Sequence, residues 1–278
     1  MIHRRVGALE LISASPTGAA PAGPPLLFVH GAFCGAWIWA EHFLPWFAAR
    51  GYAVHAVSLR GHGESDGHAQ LDQLGIDDFV SDLETVVADL GSMPVLVGHS
   101  MGGFVAQKYL ERHPLAALVL MASVPPQGLA AAQMSLLFRQ PGLMSELNRL
   151  IGGAHVAPEA LRQALFAQEI APETLTRYYR RMQSESVRAM WDMSFFNLPQ
   201  RWRMKDAPTL VMGAGADALI PEFLVRQTAE HYAAPLTIFS ALGHGLMLER
   251  DWEEVARSLC DWLIATRVLP AQENPLPA

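Results

Sequence analysis

The apolar run Val95-Leu96-Val97 breaks at Gly98-His99-Ser100-Met101-Gly102-Gly103 and then passes directly into a helical pattern. A chain that turns from strand to helix this sharply has room only for glycine around the turning residue, here Gly98 and Gly102. The serine between them then stands clear of the sheet edge with its hydroxyl exposed. A free serine hydroxyl is a poor nucleophile, so the pattern acquires chemical meaning only if a base and an orienting acid reach the same edge.

The rest of the chain supplies the sheet that such an elbow requires. Leu26–Val29, Tyr52–Val57, Val95–Val97, Leu118–Met121, Thr209–Met212 and Leu236–Phe239 are short apolar runs bounded by Gly and Pro. They alternate with amphipathic stretches, the pattern of an α/β protein with a mostly parallel central sheet flanked by helices. Phe79, Val80, Leu83, Val86, Val87 and Leu90 recur at helical spacing, with Asp77 expected as N-cap and Gly91 as the stop. Val255, Leu259, Trp262 and Leu263 do the same near the end. With 278 residues, 51% of them apolar and 17% charged, the chain can bury a large core.

From about Gln127 to Pro199 the alternation gives way to helical sequence rich in Met, Leu, Phe and Tyr, which reads as an inserted cap. Ala157-Pro158-Glu159 and Ala171-Pro172-Glu173 mark helix starts, each with proline in the first turn and an acid beside the positive helix end. The expected division is core over 1–126, cap over 127–199 and core again over 200–278, with a tail that frays from about 270.

Ligands of an open parallel sheet bind beyond the carboxyl ends of its strands, so the residues just after each strand converge on one edge. After Leu26–Val29 comes His30-Gly31-Ala32-Phe33, a loop able to present a backbone N–H. After Val95–Val97 comes Ser100, and Met101 opens a helix with the positive end of its dipole. After Thr209–Met212 the loop Gly213–Pro221 carries one carboxylate, Asp217, and after Leu236–Phe239 His244 lies between Gly243 and Gly245. The loop after Leu118–Met121 offers only Ser123, which cannot hold a charge against an imidazolium. The chain order Ser100, Asp217, His244 is the order of a triad built on this type of sheet, with His244 as base and Asp217 as orienting acid.

Together with Arg60-Gly61-His62-Gly63-Glu64-Ser65, these motifs resemble the α/β-hydrolase fold family, in particular capped serine hydrolases such as bacterial esterases and monoacylglycerol-lipase-like members. The resemblance implies a serine esterase without metal or organic cofactor, with the N–H groups of Ala32 and Met101 as oxyanion hole. The family often has an acid two residues before the arginine of the second motif, where this chain has Ser58. His30 and His62 are expected to brace their loops, and Cys34 to pack near the site. Ser100 in the elbow disfavours aspartate-nucleophile epoxide hydrolases and dehalogenases. Gly245 replaces the tryptophan that carbon–carbon bond hydrolases of ring-cleavage products usually place after the histidine, which leaves that class as an alternative, beside a receptor-like protein with negligible turnover.

Composition narrows the partners. Twenty Lys and Arg against 27 Asp and Glu give a net charge of −7 with no dense basic run, so nucleic acid is not an expected partner. Cys34 and Cys260 make neither a disulfide framework nor a zinc spacing. The basic start, Met1–Arg5, is followed by Glu10 where a leader needs unbroken apolar sequence, and no apolar run approaches the roughly 20 residues of a membrane span. A cytoplasmic protein acting on a small apolar ester or acyl compound, without stable membrane insertion, is expected. Met134, Leu137, Phe138, Leu143, Met144, Phe166, Met190, Trp191, Met193, Phe195 and Phe196 are candidates for lining its pocket. Arg180 and Arg181 are expected on an exposed helical face.

Overall fold

The computed structural model describes residues 1–16, 23–152, 154 and 157–270. The expected tail beyond 270 therefore lies outside the described residues. Eight strands form one sheet: β1 (Ile2–Val6), β2 (Leu9–Ala14), β3 (Leu26–Val29), β4 (Val54–Ser58), β5 (Val95–His99), β6 (Ala117–Met121), β7 (Thr209–Ala214) and β8 (Leu236–Phe239), in the order β1-β2-β4-β3-β5-β6-β7-β8. The pairs β1–β2 and β2–β4 are antiparallel and all others parallel. All six strands expected from apolar runs are present. Periodicity does not announce β1 and β2, because β1 is a mostly exposed edge of charged residues and β2 carries Glu10 inward.

Alternate side chains of each parallel strand enter opposite cores, as the period of two requires. Leu26, Phe28, Val95 and Val97 face one side, which is covered by α1 (Trp37–Ala40), α2 (Phe43–Ala49) and the C-terminal helix. There Phe28 packs against Trp39, Phe43 and Phe47 with ring centroids 4.9, 5.9 and 5.8 Å away. Leu27, Val29 and Leu96 face the other side, under α3 (Ile76–Leu90) and α4 (Met101–Leu110). Gly75, not Asp77, is the N-cap of α3: the Asp78 carboxylate accepts the Gly75 N–H at 2.8 Å, so Asp77 already lies within the first turn. Gly91 ends that helix at φ +66°, as expected of a left-handed stop.

Between β6 and β7 the described residues form α5 (Ala130–Arg139), α6 (Pro141–Ile151), α7 (Pro158–Leu165), α8 (Pro172–Tyr179) and α9 (Val187–Trp191), the last continuing into a wide turn over Asp192–Phe196. Pro158 and Pro172 open α7 and α8, positions where the missing N–H costs no hydrogen bond. Beyond β7, α10 (Glu222–Tyr232) packs on the second core and α11 (Trp252–Ala265) closes the first. Among the described residues no helix is long and apolar enough to cross a membrane.

Candidate active site

Ser100 occupies the one-residue junction between β5 and α4 with φ +52° and ψ −117°. Its left-handed backbone is held by its neighbours. The Ser100 N–H donates to Met121 O at 3.1 Å, and Ser100 O accepts from Gly103 and Val124 N–H at 3.1 Å each. The two flanking glycines are steric requirements: a Cβ on Gly98 would lie 2.6 Å from Gly103 Cα, and one on Gly102 would lie 2.6 Å from Val29 O.

Asp217 follows β7 and His244 follows β8, so both reach the carboxyl edge where Ser100 stands. The buried His244 donates from Nδ1 to Asp217 Oδ2 at 2.8 Å. Asp217 Oδ1 accepts the N–H groups of Leu219 and Ile220 at 2.8 and 2.9 Å, which fixes the carboxylate plane. His99 Nε2 donates to His244 O at 2.9 Å and braces the loop from below. Among the described residues Ser100 Oγ makes no hydrogen bond, but Ser100 and His244 line one cavity together with Ala32, Leu161 and Leu165. A second apolar cavity opens on the other side of Ser100, lined by Ala32, Met101, Leu136, Met190 and Met193.

The structure thus brings Ser100, Asp217, His244, Ala32 and Met101 to one place. The N–H groups of Ala32 and Met101 make no hydrogen bond among the described residues. Of the eleven candidates for the pocket lining, Met144, Met190 and Met193 line a cavity beside Ser100. Leu143 and Phe166 are buried between helices, while Met134, Leu137, Phe138, Trp191, Phe195 and Phe196 face outward. Leu147, Leu161 and Leu165 line cavity walls instead, because periodicity marks an apolar face without saying whether it meets a cavity or a neighbouring helix. Cys34 lines the His244 cavity, its thiol pushed up to about 12 by burial and by Glu185.

Three buried carboxylates support these loops. Glu10 of β2 supplies what Ser58 lacks: its Oε2 accepts from Ser58 Oγ at 2.6 Å and from Glu64 N–H at 3.0 Å, and Ser58 Oγ in turn accepts from Ala36 N–H at 2.8 Å. Glu249 Oε1 accepts the N–H groups of Gly243 and Ala167, both at 2.7 Å, tying the histidine loop to the chain after α7. Glu185 does the equivalent for the loop after β3, with Oε2 accepting Phe33 N–H at 3.1 Å. Only Glu10, a lone acid within the apolar stretch 6–12, stands out against its surroundings; Glu185 and Glu249 sit among polar and charged neighbours that give no such signal.

Residues 26–258 match the sequence pattern of the group described as "Alpha/beta hydrolase family". The chain belongs to the alpha/beta hydrolase family. It is 27% identical over 251 residues to a "Non-heme haloperoxidase" of Rhodococcus erythropolis, covering 81% of this chain and 87% of that protein. It is 25% identical over 240 residues to a "Monoacylglycerol lipase" of Mycolicibacterium smegmatis, covering 81% and 82%. The solved esterase of Exiguobacterium antarcticum superposes with a TM-score of 0.68 at 19% identity, covering 92% of this chain and 95% of that one, which shows a shared fold.

This hydrolase also holds several histidines neutral by burial, with a consequence for stability. Burial, with the charge of His62 adding, lowers His30 to about 3; burial and Arg4 lower His55 to about 4; burial and His244 lower His99 well below the ordinary range. In the unfolded chain each titrates near ~6.5, so between that pH and the folded value the unfolded chain binds protons that the folded chain does not. Their stabilisation is present above the unfolded value and is lost on acidification, at about 1.4 kcal/mol per pH unit for each group. His62 has the opposite sign. Burial opposes its charge, but Glu185 overrides burial and raises it, so its contribution is present in acid and lost as pH rises through the folded value. Calorimetry from pH 7 down to 4 is therefore expected to show a steep fall in Tm, and a flat profile would contradict it.

Proposed function

We propose that this α/β hydrolase cleaves a carboxylic ester, or a related acyl bond, of an apolar small molecule through an acyl-enzyme on Ser100. The observation that carries the reading is the Asp217–His244 hydrogen bond at 2.8 Å, held beside Ser100 between two apolar cavities. Ser100 Oγ attacks the carbonyl carbon as His244 Nε2 takes its proton, and Asp217 steadies the imidazolium that forms. The N–H groups of Ala32 and Met101 receive the oxyanion, a contribution for which loss of one donor typically costs about 10² to 10³ in rate. Collapse of the tetrahedral intermediate breaks the bond to the leaving oxygen, which takes its proton from His244. Water, deprotonated by the same nitrogen, then releases the acid and frees Ser100.

The serine–histidine hydrogen bond of such sites commonly tightens only when substrate is bound. Apolar walls on both sides of Ser100 support an ester with apolar groups on its acyl and alcohol arms over a sugar or a polyphosphate. Hydrogen peroxide in place of water at the deacylation step would release a peracid, a side reaction to which the haloperoxidase relative points.

The test is a substrate panel scored by kcat/KM. Short- to medium-chain p-nitrophenyl esters are expected to be cleaved faster than vinylogous diketone acids. The reverse order would move the assignment to carbon–carbon bond hydrolysis, and turnover of neither class would favour a ligand-holding protein.

A further inference from the structure

We infer that Glu185, which lies between α8 and α9, is a positioning residue that sets the oxyanion loop, so that the helical insertion rather than the sheet holds the Ala32–Phe33 turn in its working geometry. The inference rests on the proposed serine-hydrolase reading. Phe33 has φ +65°, a conformation that a bulky side chain keeps only when its surroundings impose it. Both sides of Phe33 are tied to the same segment of the insertion. Its N–H donates to Glu185 Oε2 at 3.1 Å, and its carbonyl accepts Gln183 N–H at 3.1 Å. With the Phe33 N–H turned onto Glu185, Ala32 supplies the loop's donor toward Ser100.

The site calls for a carboxylate. Three donors converge on its two oxygens: Phe33 N–H and His62 Nε2 on Oε2, the latter at 3.0 Å, and Ser186 N–H on Oε1 at 2.7 Å. His62 Nδ1 faces the Arg60 carbonyl at 3.1 Å, so both ring nitrogens meet acceptors and both carry protons. Around this pair stand the His30 ring, with its centroid 5.0 Å from that of His62, the edge-on Phe79 ring of α3, Asp82 of the same helix and the Cys34 thiol. His62 and Glu185 are both fully buried, and Gln183 Oε1 accepts Gly63 N–H at 2.9 Å, which joins the second-motif loop to the same segment. Met182 and Met190, on either side of this segment, line the two cavities flanking Ser100. A substrate that presses on either wall therefore acts on the chain that holds the oxyanion donor.

Glu185→Gln tests the inference, because an amide brings one acceptor and one donor to three donors and leaves at least one backbone N–H without a partner. With p-nitrophenyl butyrate, kcat is expected to fall about 10- to 100-fold with KM within about threefold of wild type. The inhibition constant of an alkyl trifluoromethyl ketone, whose adduct places an oxyanion in the hole, should rise by the same factor as kcat/KM falls. A purely structural role would leave that correspondence absent. Unchanged kcat/KM and ketone affinity in folded Glu185→Gln would overturn the inference while leaving the serine-hydrolase reading intact. If that variant does not fold, Glu185→Asp carries the same readouts, since it keeps the charge for His62 but withdraws the oxygens from Phe33 by one methylene. If wild-type protein turns over no ester, the serine-hydrolase reading falls, and exchange of the Phe33 amide decides this one alone: at least tenfold faster exchange in the variant supports it, equal exchange refutes it.

Discussion

Ser100→Ala is expected to lower kcat for p-nitrophenyl esters by about 10⁴- to 10⁶-fold while leaving Tm within about 2 °C of wild type. The large loss follows from the role proposed for Oγ, formation of the covalent bond. The small structural effect follows from how the residue is held. Among the described residues every hydrogen bond of Ser100 runs through its backbone, to Met121, Gly103, Phe104 and Val124, and alanine keeps them all. The left-handed φ of +52° is no harder for alanine than for serine. Labelling by a fluorophosphonate should be stoichiometric in wild type and absent in the variant. Gly98→Ala is the contrasting control, because its new Cβ would collide with the backbone of Gly102 and Gly103, and it should lose folded protein as well as activity. Ser100→Ala that keeps activity within tenfold of wild type would remove Ser100 as nucleophile.

The elbow was legible in the sequence because sterics act there on adjacent residues: Gly98 and Gly102 are dictated by contacts within the turn itself. Asp217 and His244 were legible for a related reason, since each follows a short apolar run that reads as a strand of the parallel sheet, and the sheet rule then places its loop. Glu10, Glu185 and Glu249 were not. They act between segments far apart in the chain: Glu10 reaches Ser58, Glu185 reaches Phe33, and Glu249 reaches Ala167. Local spacing carries no record of such partners. The antiparallel edge was hidden in the same way, since β1 gains its place by pairing with β2 rather than by burying an apolar face of its own. The helices between β6 and β7 were visible as helices, but their inward faces were not, because their outer faces carry apolar residues too: Met134, Leu137 and Phe138 are exposed.

Asp217→Asn is expected to lower kcat by about 10⁴-fold with little change in KM, and the direction follows from the hydrogen bonds around the side chain. Oδ1 accepts two buried backbone donors, Leu219 and Ile220 N–H, at 2.8 and 2.9 Å, while Oδ2 faces His244 Nδ1 at 2.8 Å. An asparagine must give its single oxygen to one of these sides. Turned toward His244, it would set its amide hydrogens against two backbone N–H groups and leave all of them without acceptors, an arrangement costing a few kcal/mol. The oxygen therefore stays on Leu219 and Ile220, and the amide donates to His244 Nδ1. The imidazole then carries its proton on Nε2, the nitrogen that in the proposed mechanism accepts the proton of Ser100. Substrate still enters the same apolar cavities, so binding persists while proton removal fails. Nitrogen chemical shifts of His244 should show the proton on Nδ1 in wild type and on Nε2 in the variant. If the tautomer changes without loss of rate, His244 is not the base; if the rate falls without a change of tautomer, Asp217 acts by some means other than orienting the ring.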